Sequence, residues 1–164
     1  MAAPAHPQPP RPPAEQQRLE ASLRELFESR ITFNRTIGLK VDSFDPHAPR
    51  TRIAMHPDLV GHYTYGRLHG GVISSVLDAT AGLALMVALA DRHREESPEQ
   101  VMQRFARMGT IDLRVDFLRQ GLGREFLAGA RVTRLGGRIA SVQMTLSNEE
   151  GTLIATGAAA YVVS

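Results

Sequence analysis

The sequence predicts an α+β fold in which a largely antiparallel sheet curls around one long, buried helix. Three observations lead to this prediction. Residues 69–91 are apolar or small almost throughout, and Asp78 is the only charged residue between His69 and Ala90. Two short strand-like segments precede this stretch, and four longer ones follow it. A helix that is apolar on all sides is a buried helix, and strands grouped around one helix are typical of α+β proteins.

The chain has 164 residues, which suits a single domain with one core. Residues 1–13 hold six prolines and predict a disordered tail, so the domain is expected to span residues 14–164. The absence of cysteine excludes a thiol nucleophile and a cysteine-type zinc site. The net charge is +2 and no run of five or more basic residues occurs, so nucleic-acid binding is not expected.

The same sequence gives an expectation for location. The N-terminal residues contain no apolar signal region. The longest apolar stretch, residues 83–90, is much shorter than the roughly 20 residues that span a bilayer. We therefore expect a cytoplasmic protein without a membrane span.

The elements before the buried helix follow from the spacing of apolar residues. Residues 14–30 have leucines at helical spacing and predict an amphipathic helix whose apolar side faces the body. Residues 37–44 and 51–55 predict two strands, with a proline-containing turn at 45–49 between them. Residues 56–67 are polar and aromatic and predict a loop.

The elements after the buried helix are predicted in the same way. Residues 91–108 are charged and polar, and Ser97 followed by Pro98 predicts a short helix at 98–107. Gly136 and Gly137 predict a hairpin turn. The four predicted strands are 110–118, 126–135, 139–148 and 153–163.

The segment RLHGGVISSVLDATAG (67–82), followed by four strands, resembles the hotdog-fold thioesterases of the PaaI/YigI type. The shared signature is His69-Gly70-Gly71, six further residues, and then Asp78. The resemblance covers roughly residues 30–163. It implies a hotdog fold and hydrolysis of acyl-CoA with no metal and no cofactor, coenzyme A being part of the substrate.

The resemblance also implies an assembly. Proteins of this type are homodimers or dimers of dimers with active sites at the interface. The His69-Gly70-Gly71 end of one chain would face Asp78 of the other. Asp78 lies seven residues beyond Gly71, about 10 Å along a helix, which is too far for both to act on one carbonyl within a chain. A two-fold partner would bring the two half-sites together.

The chemistry of a thioesterase assigns roles to these residues. Asp78 could act as a general base or as a nucleophile, and the residues alone do not decide between them. The Gly71 N–H, in the first turn of a helix, could polarise the thioester carbonyl. The alternative for Asp78 is a buried structural acid. The alternative for His69 is a helix cap or a residue that orients the substrate.

Further residues are expected at the site. Many relatives carry Asn or Gln where this chain has Tyr63, and its role could pass to His62 or Tyr65. Thr110, at the start of the strand after the helix, could hold the attacking water. The residues expected to bind substrate are His62, Gly70, Ser75, Leu113, Arg119, Gly137 and Arg138. Either arginine of this set could equally be an ordinary surface charge.

The sequence leaves one competing function open and argues against two others. A non-catalytic acyl-CoA-binding or regulatory hotdog protein is the main alternative, and the altered residue Tyr63 leaves room for it. A hotdog hydratase would need an H-x-x-x-x-G-x-x-P pattern, and the sequence has none. A serine hydrolase would need a G-x-S-x-G elbow, which is also absent. The histidines lack an H-E-x-x-H pattern, so no metal site is expected.

Overall fold

The computed structural model describes residues 9–164, and residues 1–8 of the predicted tail lie outside the described residues. Eight strands occur within this range: β1 (Lys40–Ser43), β2 (Arg50–Ala54), β3 (Val60–His62), β4 (Arg67–Leu68), β5 (Gly109–Phe117), β6 (Glu125–Leu135), β7 (Ile139–Asn148) and β8 (Leu153–Val162). The α-helices of the same range are α1 (Pro13–Glu25), α2 (Thr32–Thr36), α3 (Gly70–Arg92) and α4 (Pro98–Arg104).

One antiparallel sheet contains six of the described strands in the order β1-β2-β6-β7-β8-β5. Helix α3 packs on this sheet and contacts β2, β5, β6, β7 and β8. The fold class is therefore confirmed: an α+β protein whose sheet wraps one long helix, which is the hotdog arrangement that the resemblance implies. Strand β5 follows α3 in the chain but pairs with the last strand, β8, so it forms one edge of the sheet.

The core lies between α3 and the inner face of the sheet. Leu77, Leu83 and Leu85 of α3 are fully buried, as are many inward residues of the sheet. Gly157 in β8 allows the helix to approach, because a Cβ there would lie 3.4 Å from Leu77 Cδ1 and 3.2 Å from a backbone oxygen. The buried hydroxyls of Thr51 and Thr80 are 2.6 Å apart and join β2 to α3.

Helix α3 is long and apolar enough to span a membrane by length and composition alone. However, 67% of its most apolar window is buried inside the protein. Its apolar circumference is explained by the surrounding sheet, as the sequence predicted.

The N-terminal region differs from the prediction of one helix at 14–30. Helix α1 ends at Glu25 and continues as a π-helical segment, Leu26–Arg30, in which the Ile31 N–H donates to Leu26 O. The buried Asn34 side chain donates to Phe27 O at 3.1 Å, which satisfies a carbonyl of this wider turn. Pi-helical turns of this kind are often found at functional sites.

The strand predicted at 37–44 is wrong in its first half. Residues Thr32–Thr36 form the short helix α2, and strand β1 begins only at Lys40. Gly38 separates the two with a φ of +71°, a left-handed conformation that favours glycine. The apolar residues Ile37 and Leu39 are buried in the turn instead of alternating along a strand.

The tail boundary also differs from the prediction. Helix α1 begins at Pro13, and Arg11 is buried with only 8% of its surface exposed. The Arg11 guanidinium donates to the carbonyl oxygens of Ala90 and His93, at the C-terminal end of α3. The ordered body therefore includes residues that composition alone assigned to the tail.

The segment 56–67 is more ordered than the predicted loop. It contains a 3₁₀ turn at Pro57–Leu59 and a two-stranded ribbon made of β3 and β4. The short strands escaped prediction because the segment has no apolar alternation. The ribbon leads directly into the start of α3.

The excursion after α3 is close to the prediction. Helix α4 has the full capping box, in which Ser97 and Gln100 bond each other's backbone N–H groups. The helix ends at Arg104 and a 3₁₀ turn, Phe105–Arg107, replaces its predicted last residues. The four strands after this segment are confirmed, with ends that differ from the prediction by one residue at most.

Candidate active site

Asp78 lies on α3 and is held by two hydroxyl groups. Tyr161 donates its hydroxyl proton to Asp78 Oδ1 at 2.6 Å, and Thr110 donates to the same oxygen at 2.9 Å. Thr110 in β5 and Tyr161 in β8 are paired directly across the sheet, so the backbone places both hydroxyls side by side beneath the helix. We call Asp78, Thr110 and Tyr161 the Asp78 half-site.

The environment of Tyr161 keeps it a proton donor. The residue is only 3% exposed. Burial raises the pKa of the Tyr161 phenol well above its ordinary value, and the hydrogen bond to the Asp78 carboxylate raises it further. The second carboxylate oxygen, Oδ2, has no hydrogen-bond donor within residues 9–164, so it is free to face a substrate or a water.

A cavity of about 310 Å³ opens beside Asp78. Its polar groups come mainly from the Asp78 half-site and from Ser75, whose hydroxyl donates to Gly71 O at 2.7 Å. The rest of the wall is mostly apolar. We call this space the Asp78 cavity; it is lined by Phe27, Ile31, Phe33, Asn34, Ser75, Asp78, Ala79, Gly82, Phe105, Met108, Gly109, Thr110 and Tyr161.

His69 caps the N-terminus of α3. Its Nδ1 atom accepts a hydrogen bond from the Gly71 N–H at 2.8 Å, so in this tautomer the ring proton is on Nε2. The His69 N–H in turn donates to Leu59 O of the preceding 3₁₀ turn. Gly61 of β3 passes so close that a Cβ there would lie 2.6 Å from His69 Cα. We call His69, Gly70 and Gly71 the His69 half-site.

The cap changes one expectation. The Gly71 N–H was predicted to be a free donor for the thioester oxygen, but here the His69 ring occupies it. His69 and Gly71 are both exposed. Rotation of the exposed ring would release the N–H, so the predicted role stays open with this added step.

A second cavity, of about 510 Å³, opens beside the His69 half-site. Arg67 and Arg119 line it, and the Arg119 guanidinium donates to Leu153 O at 3.0 Å. Phe117 forms another part of the wall and packs against Gly70. This His69 cavity is lined by Gly61, Arg67, Leu68, His69, Gly70, Ile73, Phe117, Leu118, Arg119 and Gln120.

Comparison with known proteins identifies the family of this chain. The family described as "Thioesterase superfamily" matches residues 65–155, which include both half-sites except Tyr161. The Escherichia coli protein named "Medium/long-chain acyl-CoA thioesterase YigI" is 39% identical over 139 residues, covering 85% of this chain and 90% of that protein. The chain belongs to the thioesterase superfamily.

Solved structures agree with this membership. A Shewanella oneidensis protein described as related to the thioesterase superfamily is 36% identical, with a TM-score of 0.85 over 93% of this chain and 99% of its own. A Syntrophus aciditrophicus protein is 34% identical, with a TM-score of 0.81 over 92% and 99% of the two chains. The predicted hotdog fold, the thioesterase family and the enzyme class are therefore confirmed.

The predicted thioesterase residues fall into several places. Asp78, Thr110 and Ser75 meet at the Asp78 cavity, and His69, Gly70 and Arg119 meet at the His69 cavity. Leu113 in β5 is partly buried against the core, opposite Ala159. The catalytic and binding roles assigned to these residues stay predictions.

His62 and Tyr63 lie away from both cavities in the single chain. Tyr63 is 93% exposed, and its ring stacks on that of His62 with centroids 5.7 Å apart. The His62 ring also contacts Tyr65 at 4.8 Å. Tyr63 lines neither cavity in the single chain, and its expected contact with the thioester stays a prediction.

Gly137 and Arg138 lie in the turn between β6 and β7, and neither lines the two cavities. Arg92 donates to Leu135 O and, at 3.0 Å, to Gly136 O, which ties this turn to the C-terminal end of α3. The His69 half-site is at the other end of that helix. One chain does not bring this turn and that half-site together.

Tyr161 was not predicted as a site residue. The last strand was predicted correctly, but a lone tyrosine in an alanine-rich strand is an ordinary core residue. Only the register between β5 and β8, which places Tyr161 opposite Thr110, reveals its contact with Asp78. A buried tyrosine hydroxyl needs a polar partner, but the sequence does not indicate which residue, 83 positions away in this case, supplies it.

A group of three ionisable residues lies outside the half-sites. His93, Glu95 and Glu96 have potential ligand atoms within 4.8 Å of one another. Glu96 is already ion-paired with Arg104, which lowers the pKa of the Glu96 carboxyl and neutralises its charge. We therefore interpret the group as a cluster of salt bridges after the end of α3.

Proposed function

We propose that this chain hydrolyses acyl-CoA thioesters to the free acid and coenzyme A, with Asp78 as general base or nucleophile. The observation that carries the proposal is the Asp78 carboxylate in the wall of a largely apolar cavity. Tyr161 and Thr110 fix its Oδ1, which leaves Oδ2 to react. The relative named a medium/long-chain acyl-CoA thioesterase supports this substrate class.

The general-base route begins with a water held between Asp78 Oδ2 and the thioester. Oδ2 takes a proton while the water oxygen bonds to the carbonyl carbon. The carbonyl oxygen becomes an oxyanion, and a backbone N–H can stabilise it. Collapse breaks the carbon–sulfur bond, and protonated Asp78 returns its proton to the departing coenzyme A thiolate, which restores the carboxylate.

The nucleophilic route uses the same oxygen differently. Oδ2 attacks the carbonyl carbon, coenzyme A leaves as the thiolate, and a mixed anhydride with Asp78 remains. Water then hydrolyses the anhydride and restores the carboxylate. A single turnover in ¹⁸O-water, followed by mass spectrometry of the peptide that contains Asp78, distinguishes the routes because only this route can place label in the enzyme.

We propose that the Gly71 N–H which stabilises the oxyanion comes from a partner subunit. Asp78 and Gly71 are seven residues apart on α3, about 10 Å along its axis, and Gly71 does not line the Asp78 cavity. A homodimer, or a dimer of two such dimers, would join them.

The edge strand β5 supports such a partner. It has nine residues, pairs only with β8 among the described strands, and exposes Ile111 (57%) and Phe117 (55%). Proteins seldom leave a long apolar edge uncovered. Pairing of the β5 edges of two chains would place the Asp78 half-site of one chain beside the surface of the partner subunit, from which the Gly71 N–H could come.

We also propose that coenzyme A binds near the His69 cavity, where Arg67 and Arg119 supply positive charge for its phosphates. Tyr65 lies under the Arg67 guanidinium at 5.7 Å and steadies it.

A cytoplasmic location stays a prediction.

The test is thiol release from a panel of acyl-CoA substrates by the unmodified protein and by Asp78→Asn. The asparagine keeps an oxygen that can accept from Tyr161 and Thr110, but it cannot accept a proton. We expect kcat/KM to fall by roughly 10²- to 10⁴-fold with the melting temperature nearly unchanged.

The matched control is Asp42→Asn, the same chemical change on β1. It breaks a surface ion pair with Arg50 and leaves the Asp78 half-site intact, so activity should be retained. Normal turnover by Asp78→Asn would contradict the proposal. Binding of acyl-CoA by the unmodified protein without any thiol release would support the non-catalytic alternative.

A further inference from the structure

We propose that the Asp78 cavity holds the acyl chain of the substrate and that Gly82 sets the length of chain it accepts. The inference rests on the proposed function, because the cavity can select acyl chains only if Asp78 acts on the thioester. It adds the place of the chain and the residues that limit it.

The polar and apolar groups of the cavity are separated. Asp78, Thr110 and Tyr161 bond one another at one end, and the Asn34 amide is occupied by Phe27 O. The remaining wall is nearly all apolar. A wall of this kind suits a flexible hydrocarbon whose only polar group, the thioester, stays at Asp78. The apolar lining residues are Phe27, Ile31, Phe33, Ala79, Gly82, Phe105 and Met108.

Gly82 is a buried residue of the cavity wall and lies beside Phe27, at the end of the cavity that we assign to the tail of the acyl chain. It follows Asp78 by one helical turn, about 6 Å along the axis. A Cβ built at Gly82 would lie 3.8 Å from Cε1 and Cζ of Phe27, an ordinary van der Waals contact. A Cβ therefore fits at this position, and because Gly82 lines the cavity, a longer side chain would take up part of its space.

An aromatic pair closes this end. The rings of Phe27 and Phe105 meet edge to face, with centroids 5.9 Å apart at 72°. Phe27 comes from the π-helical segment and Phe105 from the 3₁₀ turn after α4. The excursion after α3 thus forms a wall of the acyl site in a single chain.

The cavity of about 310 Å³ and its mostly apolar wall suit an acyl chain that extends from Asp78 towards the aromatic pair. Longer chains would need the pair to separate.

The experiment measures kcat/KM of the full-length protein for butanoyl-, octanoyl-, dodecanoyl- and hexadecanoyl-CoA. Gly82→Met should lower the dodecanoyl-to-butanoyl ratio by on the order of tenfold or more, because it displaces several methylenes of the longer chain. The matched control, Ala88→Met, adds the same side chain to α3 outside both cavities and should leave the ratio unchanged.

A second variant tests the aromatic pair in the opposite direction. Phe105→Ala removes one ring and should raise the hexadecanoyl-to-octanoyl ratio severalfold, because the end of the cavity beside the pair opens. Both readouts are ratios within one preparation, so loss of some folded protein cancels.

The outcomes separate this inference from the function on which it rests. An unchanged chain-length profile in Gly82→Met and Phe105→Ala, or an equal fall for all substrates, would overturn the assignment of the acyl site while thiol release by the unmodified protein continues. No thiol release from any acyl-CoA by the unmodified protein would overturn the proposed function itself.

Discussion

The Asp78 half-site and the His69 half-site share one helix, but different parts of the protein hold them. Asp78 receives its hydrogen bonds from β5 and β8, which lie 32 and 83 residues further along the chain. His69 instead bonds Gly71, two residues away, and Leu59, ten residues before it. The first arrangement is long-range and partly buried, and the second is local and exposed.

The difference shows that a single chain completes the hydrogen bonds of the Asp78 half-site but does not free the Gly71 N–H of the His69 half-site. The sheet fixes the Asp78 carboxylate in the single chain. The His69 half-site keeps its Gly71 N–H occupied by its own cap, and only a further contact would redirect it. We therefore expect that changes at Asp78 act on chemistry inside one chain, whereas changes at Gly71 act on the partner's chemistry.

The largest expected effect comes from combining two inactive chains. Gly71→Pro removes the N–H at a first-turn position that tolerates proline, and Gly71→Ala is the control that keeps it. We expect Gly71→Pro to lose roughly 10²- to 10³-fold in kcat. Mixed dimers of Gly71→Pro and Asp78→Asn, isolated with two different tags, should regain about half of the wild-type rate because one of their two sites is intact.

The complementation has a clear opposing result. If each active site used Asp78 and Gly71 of the same chain, both sites of the mixed dimer would be damaged and no activity would return. Thiol release by the doubly purified dimer decides between the two arrangements. A mixture of the two separately purified homodimers, measured before exchange, provides the baseline.

A smaller effect is expected within the Asp78 half-site. Tyr161→Phe removes a buried donor to Asp78 Oδ1, and Thr110→Val removes an exposed one. Hydrogen bonds to charged groups contribute about 1.5–3 kcal/mol, so Tyr161→Phe should lower kcat/KM by roughly ten- to a hundredfold. Thr110→Val should cost less, since water can replace its hydroxyl. Equal losses in the two variants would contradict the difference in burial.

The expected effect at His69 is on stability. His69→Ala removes the cap of α3 and should lower the free energy of unfolding by about 1 kcal/mol, which corresponds to a fall of about 2–4 °C in melting temperature. His69→Asn should restore most of this loss because asparagine is a good N-cap. If His69→Asn regains stability but not thiol release, the ring has a role beyond the cap.

The smallest effect is a stability change at high pH. The pKa of Tyr161 is raised in the folded protein above its ordinary value of 10, first by burial and then by its bond to Asp78. As pH rises above about 10, the unfolded chain loses the phenolic proton while the folded chain keeps it, so stability decreases. Chemical unfolding between pH 9 and pH 11 should show a shallower decline in Tyr161→Phe.

The fold was predictable where apolar patterns are regular. The all-round apolar character of α3 and the alternation in β5 to β8 led to the correct architecture. The prediction failed at residues 37–39, which form the turn between helix α2 and strand β1 but were taken for the start of a strand. The β3–β4 ribbon was missed for a related reason, since its strands are too short to show alternation.

The site was predictable only in part. Asp78 and Thr110 followed from the family resemblance, and their contact is direct. Tyr161 depends on strand register, which a sequence pattern does not fix. The occupied Gly71 N–H depends on the rotamer of His69, another feature that spacing cannot give. Gly137 and Arg138 were assigned by analogy, and the turn that holds them lies at the far end of α3.

The order of strands has a consequence for how the chain is made. Helix α3 leaves the ribosome before the strands that cover most of it, and its neighbour β5 pairs with β8, the last strand to be synthesised. An apolar segment of membrane-span length is therefore without its covering until nearly the whole chain has emerged. Nascent chains that stop before Leu153 should accordingly be held by chaperones or aggregate, whereas the completed chain can close its sheet around the helix.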